Sequence, residues 1–473
     1  MALRGEAASP KRSPVVATAF FFVVVLLAWA IILVIGLPLA VLVTPPLVLL
    51  GGFILPGLTE AHLPFSAAWL IAIALFASWR RILEMVRDRH PAAVLFAGFL
   101  FLLLLLTVRS PDKGQGVRMV VQGGMLLVAA LVFRIGLDHV RREWLLGSAV
   151  LTAMALALPI IWFRLDPGAE IDFLASGLAH ILIEPVSLDE LLRGYWFQGN
   201  NILSAGKSGA VFINANVASV YLSLHLAGAI GMALYDKRGL LPRFAIPILL
   251  IAVLATGSRI GAATSLMMIL VVLLAWRTRM GGATSALMAV ALLLALPIVM
   301  PTAARLQAEV LLSDDRILLW PLAVQRILDH PLIGGGFGDW EAWLAPRLEL
   351  FNLWRVLPPH NIVLHLVLWG GVVALAVFGT TVVVLAQGIW RQLRGDYWQC
   401  ALAVGLMLVV MAVLSHSLFD NFFLFDWHVG PAIGALVAIM WIPTRRQQQP
   451  APWNKEELVV APATGPRPAD TPS

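Results

Sequence analysis

The chain holds one cysteine, Cys400, in 473 residues. A disulfide framework and a cysteine-based metal site are therefore excluded, because both need several thiols. Charge is scarce too. Asp, Glu, Lys and Arg make up 13% of the chain, about half the share in an ordinary soluble domain. Hydrophobic residues make up 60%, and mean hydropathy is +0.87. No packed core buries that much apolar surface, so a soluble globular enzyme is excluded and the solvent must be lipid. Acidic residues are nearly missing from the apolar runs. That weighs against an ion-coupled transporter or flippase, whose pathway usually carries Asp or Glu inside its spans. No HExxH occurs, and the histidines lack metal-ligand spacing. The stretch SAGKSG resembles a phosphate loop, but Gly199 lies seven positions before Gly206, not five, so a P-loop is set aside.

What is present is a series of apolar runs. They lie near 15–36, 38–57, 64–79, 92–108, 117–137, 143–163, 211–233, 244–256, 259–276, 282–300, 360–387, 399–416 and 428–443. A helical crossing needs about 20 residues, so the pattern predicts an all-α polytopic membrane protein with about 12 transmembrane helices. The first run is too long for a signal peptide and reads as an uncleaved span. The second, interrupted by Pro45, Pro46, Gly51 and Gly52, reads as a re-entrant or interfacial piece. The net charge of +6 reads as anchoring at the inner face rather than nucleic-acid binding. Basic clusters at 80–89, 141–142, 237–243, 277–279, 391–394 and 445–446 fall on one side if the runs alternate. That side is assigned to the cytoplasm. The expected organisation is a cytoplasmic N-terminus over 1–14, a transmembrane domain over 15–443, and a disordered cytoplasmic tail over 444–473. Loops 164–210 and 301–359 then lie on the opposite, periplasmic side.

Those loops carry the polar chemistry. Arg305, Arg316, Arg326, Arg347 and Arg355 occupy the second, and Arg193 and Lys207 the first. Such a set suits a polyanionic ligand such as pyrophosphate; singly, each also fits a solvated loop. The stretch DDRILLWPLAVQRILDHP has helical periodicity, with Ile317, Trp320, Val324 and Ile327 expected on one face and Asp314 or Asp315 as cap. Trp320 and Arg326 of this helix are substrate-binding candidates. Glycines 334, 335, 336 and 338 form a turn that lets backbone approach either a ligand or the protein itself. His360 and Asn361 open the next span, where free N–H groups favour anions and a histidine can act as a general base. Arg259 sits at a tight outer turn, as an anion ligand or as a residue snorkelling to headgroups. Asn214 and Asn216 either bind sugar hydroxyls or cap their helix. His416, Asp420, Asp426 and His428 read as a polar rim or a weak metal site.

In this order, FINANVASVYLSL, GSRIGAATSL, DDRILLWPLAVQRILDHPLIGGGFGDW and PHNIVLHLVLWGGVVAL resemble the O-antigen ligase and O-antigen polymerase superfamily over about residues 200–390. The resemblance implies a GT-C-like, metal-independent glycosyltransferase of the bacterial inner membrane, without cofactor. It implies transfer of a glycan from undecaprenyl pyrophosphate on the periplasmic side. The acceptor is lipid A-core in the ligase branch, or a second lipid-linked glycan in the polymerase branch. It also implies that Arg259 and Arg316 hold pyrophosphate and that His360 serves as base or orients the acceptor, with Asn361 positioning substrate. Ile260 between Arg259 and Gly261 departs slightly from the family turn. The motifs do not separate ligase from polymerase; the histidine after the long loop tilts the reading toward ligase.

Overall fold

The computed structural model describes residues 14–48, 65–76, 91–182, 206–236, 239–278, 315–351, 353, 356–420 and 425–442. The run 282–300 and the tail 444–473 lie outside these residues. All the helices below belong to the unit that ends at Trp441.

In chain order the helices are α1 (Pro14–Ile35), α2 (Leu37–Leu42), α3 (Thr44–Val48), α4 (Phe65–Phe76), α5 (Pro91–Arg109), α6 (Lys113–Gly136), α7 (Arg142–Leu165), α8 (Pro167–Ala175) and α9 (Gly177–Leu182). Then follow α10 (Ala215–Tyr235), α11 (Leu240–Ala255), α12 (Arg259–Thr278), α13 (Asp315–Asp329), α14 (Asp339–Leu344), α15 (Ile362–Leu393), α16 (Tyr397–Phe419) and α17 (Val429–Met440). The described residues contain no strand. Six of these helices, α5, α6, α7, α10, α15 and α16, are long and apolar enough to cross a membrane, and five shorter apolar helices accompany them. The described part of the run 38–57 forms the two short helices α2 and α3, as the interrupting prolines lead one to expect.

Side-chain carboxylates and amides start these helices. Asp112 accepts from Gln115 N, Asp166 from Ala169 N and Asp396 from Gln399 N. Each supplies an acceptor to an N–H that the first turn leaves without an intrahelical partner. Helix α10 is the central post, buried along most of its length between α7, α11 and α16. The polar contacts sort the loops into two ends. At one end Tyr397 donates to Leu234 O, Tyr235 to Glu143 and Arg142 to Trp441 O. The other end gathers residues near 110, 170, 209, 256, 337, 360 and 418.

Helix α15 is broken at Gly370 and Gly371, which have non-helical backbone angles. The residues that follow α13 repair the break. Val372 N donates to Pro331 O at 2.9 Å, Val373 N to Leu332 O at 3.3 Å, and Gly335 N to Leu368 O at 2.9 Å. A Cβ on Gly371 would stand 2.1 Å from the Leu332 carbonyl, and its φ is +64°, so only glycine fits. The glycine turn thus approaches the protein's own backbone. Its other side meets the α5–α6 turn, where Asp112 N donates to Phe337 O and Phe337 N to Ser110 Oγ.

Candidate functional site

His360 has φ +49° and is one of three non-glycine residues in the left-handed region among the described residues, with Ala210 and Ile213. Such a conformation costs about 1–3 kcal/mol and persists only where neighbours impose it. Both neighbours are tied. On one side, Trp320 Nε1 on α13 donates to Pro359 O at 2.8 Å. On the other, Asn361 caps α15, accepting from Val363 N at 2.9 Å and Leu364 N at 3.2 Å. Its Nδ2 donates to Leu418 O on α16 at 2.9 Å. The imidazole is thereby set beside Asp420, with Nδ1 3.3 Å from Oδ1. Asp420 is 5% exposed, so the pair lies out of bulk water. Among the described residues no partner occupies His360 Nε2.

Arg259 opens α12. Thr256, Gly257 and Ser258 make the preceding turn. Thr256 Oγ1 accepts from Ser258 N at 3.2 Å, and Ser258 Oγ accepts from Gly261 N at 3.3 Å. Ile260 and Phe419 form one buried cluster, with Trp320 and Leu418 packed against it. The neighbours of Arg259, Trp320 and Asp420 therefore touch one another. Gly261 permits this approach: a Cβ there would fall 1.6 Å from Ser219 Oγ on α10. Arg259 itself is exposed and has no ion-pair or hydrogen-bond partner among the described residues.

Helix α13 anchors a small core. Leu319, Leu322 and Ala323 are buried with Trp340, Leu344, Leu353, Leu357 and Leu368. The face expected from the sequence was offset. Val324 is 48% exposed, Ile327 packs against the core, and Trp320 belongs to the neighbouring cluster. Arg316 stands one turn before Trp320 on this helix; its side chain and Asp314 lie outside the described residues. Arg326 is fully engaged. Its Nε and Nη2 fork onto Asp339 at 2.8 and 2.5 Å, and Nη1 reaches Asp329 at 2.8 Å. Asp339 first, and then Asp329, raise the guanidinium above its ordinary pKa against the opposing effect of burial.

The second amide candidate, Asn214, caps α10 by accepting from Asn216 N at 2.8 Å and Val217 N at 3.4 Å. Asn216 stands in the first turn. The capping alternative thus describes Asn214, and the capping role also occupies both ends of the Asn361 amide. Of the four rim residues, Asp426 pairs with His428 at 3.5 Å and caps α17. His416 Nε2 lies 3.4 Å from Ser219 Oγ. Among the described residues no group of three or more His, Cys, Asp or Glu gathers as metal ligands.

Sequence reasoning missed Glu170 on α8. It is 3% exposed, and its Oε1 accepts from Gly209 N at 3.0 Å and Ala210 N at 2.8 Å. Burial pushes its carboxyl above the usual range even though both amides favour the charge. The loop it holds donates from Ser208 N to Thr256 O at 3.2 Å, directly behind the Arg259 turn.

Comparison with protein families matches residues 244–379 to the family described as O-antigen ligase. The match places this segment in the O-antigen ligase and polymerase superfamily. It includes Arg259, Arg316, Trp320, Arg326, His360 and Asn361, and leaves Asn214, Asn216, Glu170 and Asp420 outside. No curated protein matches the chain.

Proposed function

We propose that this protein is a glycosyltransferase that moves a glycan from undecaprenyl pyrophosphate to an acceptor hydroxyl, and that it is an O-antigen ligase with lipid A-core as acceptor. One observation carries the reading. A histidine in the left-handed region lies 3.3 Å from a buried carboxylate, and Ile260, next to the exposed Arg259, packs against Phe419, next to that carboxylate. The family match supports ligase-like or polymerase-like chemistry in the same segment.

In the reaction, the acceptor oxygen attacks the anomeric carbon of the donor sugar. The bond from that carbon to the pyrophosphate oxygen breaks, and its electron pair leaves with the pyrophosphate. The acceptor proton passes to His360 Nε2. The Asp420 carboxylate, 3.3 Å from Nδ1, stabilises the imidazolium that forms. Arg259 and Arg316 take the charge that develops on the leaving group by charge-assisted hydrogen bonds. A single displacement inverts the anomeric centre. No metal is assigned a part. On this reading about 12 spans cross the inner membrane, with this end of the bundle at the periplasmic face.

The test is transfer by the purified protein in nanodiscs, from a matched undecaprenyl-pyrophosphate glycan, with and without lipid A-core. Product that requires lipid A-core supports a ligase. A ladder of longer lipid-linked glycans without it makes the protein a polymerase. No transfer in either case overturns the glycosyltransferase reading.

A further inference from the structure

Helix α13 has two apolar faces. One fills the small core already described. The other carries Leu318, Val324 and Leu328, which are 39%, 48% and 72% exposed, and the chain continues with Leu332 at 69% and Ile333 at 52%. A water-exposed subdomain rarely leaves so many large aliphatic side chains in one contiguous strip.

This strip merges with surfaces on two helices long enough to span a membrane. Through the backbone bonds Val372 N to Pro331 O and Val373 N to Leu332 O, it joins α15, where Val372 and Val373 are 52% and 42% exposed. Arg109 at the end of α5 donates from Nη2 to the carbonyls of Ile333 and Gly334. Just before it on α5, Leu105 and Val108 are 53% and 72% exposed. The break in α15 fixes the height. Residues 372–393 form a helix about 33 Å long at 1.5 Å per residue, matching a hydrocarbon core of about 30 Å. Leu332, bonded to Val373, therefore sits at the edge of the hydrocarbon. Of the acids nearby, Asp339 is paired with Arg326, and Asp329, on the same guanidinium, remains half exposed.

From this geometry we infer that the second face of α13, from Val324 through Leu328 to Leu332 and Ile333, is seated among the acyl chains of the outer leaflet. The occupant of the strip is bilayer lipid. The subdomain that carries Trp320 is a wedge in the membrane surface rather than a cap in water. This inference does not depend on which reaction the protein catalyses.

Spin labels on single cysteines test it. Labels are placed at Leu328 and Leu332 in a Cys400→Ser background in nanodiscs, with Val373 as the lipid reference and Glu349 as the water reference. Relaxation by molecular oxygen is compared with relaxation by a water-soluble nickel chelate. At 328 and 332 oxygen should dominate several-fold, as at 373. Nickel dominating as at 349 overturns the inference in favour of a solvated face. Poor access to both reagents overturns it in favour of a protein cover, either residues 301–314 of the same chain or a second copy. If Cys400→Ser does not fold, the labels are read on the wild-type background after subtracting the Cys400 signal.

Discussion

His360 on the approach to α15 and Asp420 at the end of α16 meet at 3.3 Å, Nδ1 to Oδ1. Nothing in the local sequence of either residue requires the other. Asn361, bonded to Leu418 O, draws the two segments together. In the proposed mechanism the carboxylate stabilises the imidazolium, so Asp420→Asn should leave the fold intact and lower kcat by about 10²–10⁴-fold, the usual worth of general acid–base assistance. His360→Ala should lose at least as much. Single-turnover transfer rates check both, with circular dichroism to show retained helix. Full activity in either variant removes the base from the mechanism.

The arginines differ in what holds them. Arg259 has no protein partner among the described residues, whereas Arg326 has two. Arg259→Ala should abolish transfer at unchanged melting temperature. Arg326→Ala should instead destabilise the subdomain by about 2 kcal/mol, the scale of lost hydrogen bonds to charged groups. Thermal unfolding beside an activity assay distinguishes them, and an Arg259 variant that unfolds early would make that residue a strut as well.

Trp320 acts on His360 through Pro359. Trp320→Phe keeps the ring and deletes the hydrogen bond to Pro359 O, worth about 1 kcal/mol. The expected result is a lower kcat at unchanged KM for the donor. A raised KM with normal kcat would assign the indole to substrate contact.

Glu170 predicts a pH signature. Its folded-state pKa is raised by burial, so the folded state holds the proton more tightly than the unfolded chain does. The stabilising contribution is then complete below the ordinary glutamate value of about 4.3 and is lost as pH rises through the raised folded value. Glu170→Gln keeps an oxygen for Gly209 N and Ala210 N but does not titrate. Measured from pH 4 to 7, wild-type melting temperature should fall relative to Glu170→Gln. A constant difference would show that the carboxyl does not titrate in that range.

The sequence discloses what depends on local order. Apolar runs mark the spans, basic clusters mark one end, and Pro358, Pro359 and Asn361 mark a helix start. The placement of α13 was less legible because both of its faces are apolar. Periodicity finds such a helix but cannot tell which side, Leu319 and Leu322 or Val324 and Leu328, turns inward. Arg326 looked like a ligand because its partner Asp339 lies beyond the glycine turn. Asp420 reads from sequence as part of a polar rim without His360, and Glu170 escaped altogether, for the same reason: their partners are brought to them only by packing between distant helices.

The break at Gly370 and Gly371 has a consequence for how the helix is gauged against the bilayer. In an uninterrupted helix the hydrophobic length ends where polar residues begin. With α13 seated as inferred, the outer limit is where Pro331 and Leu332 hand their carbonyls to Val372 and Val373, a position set by the spacing between α13 and the glycine turn. Lengthening that spacer by a residue would shift the stop along α15 and mismatch the span to its membrane. The glycine turn is therefore the ruler of this helix as well as its splint.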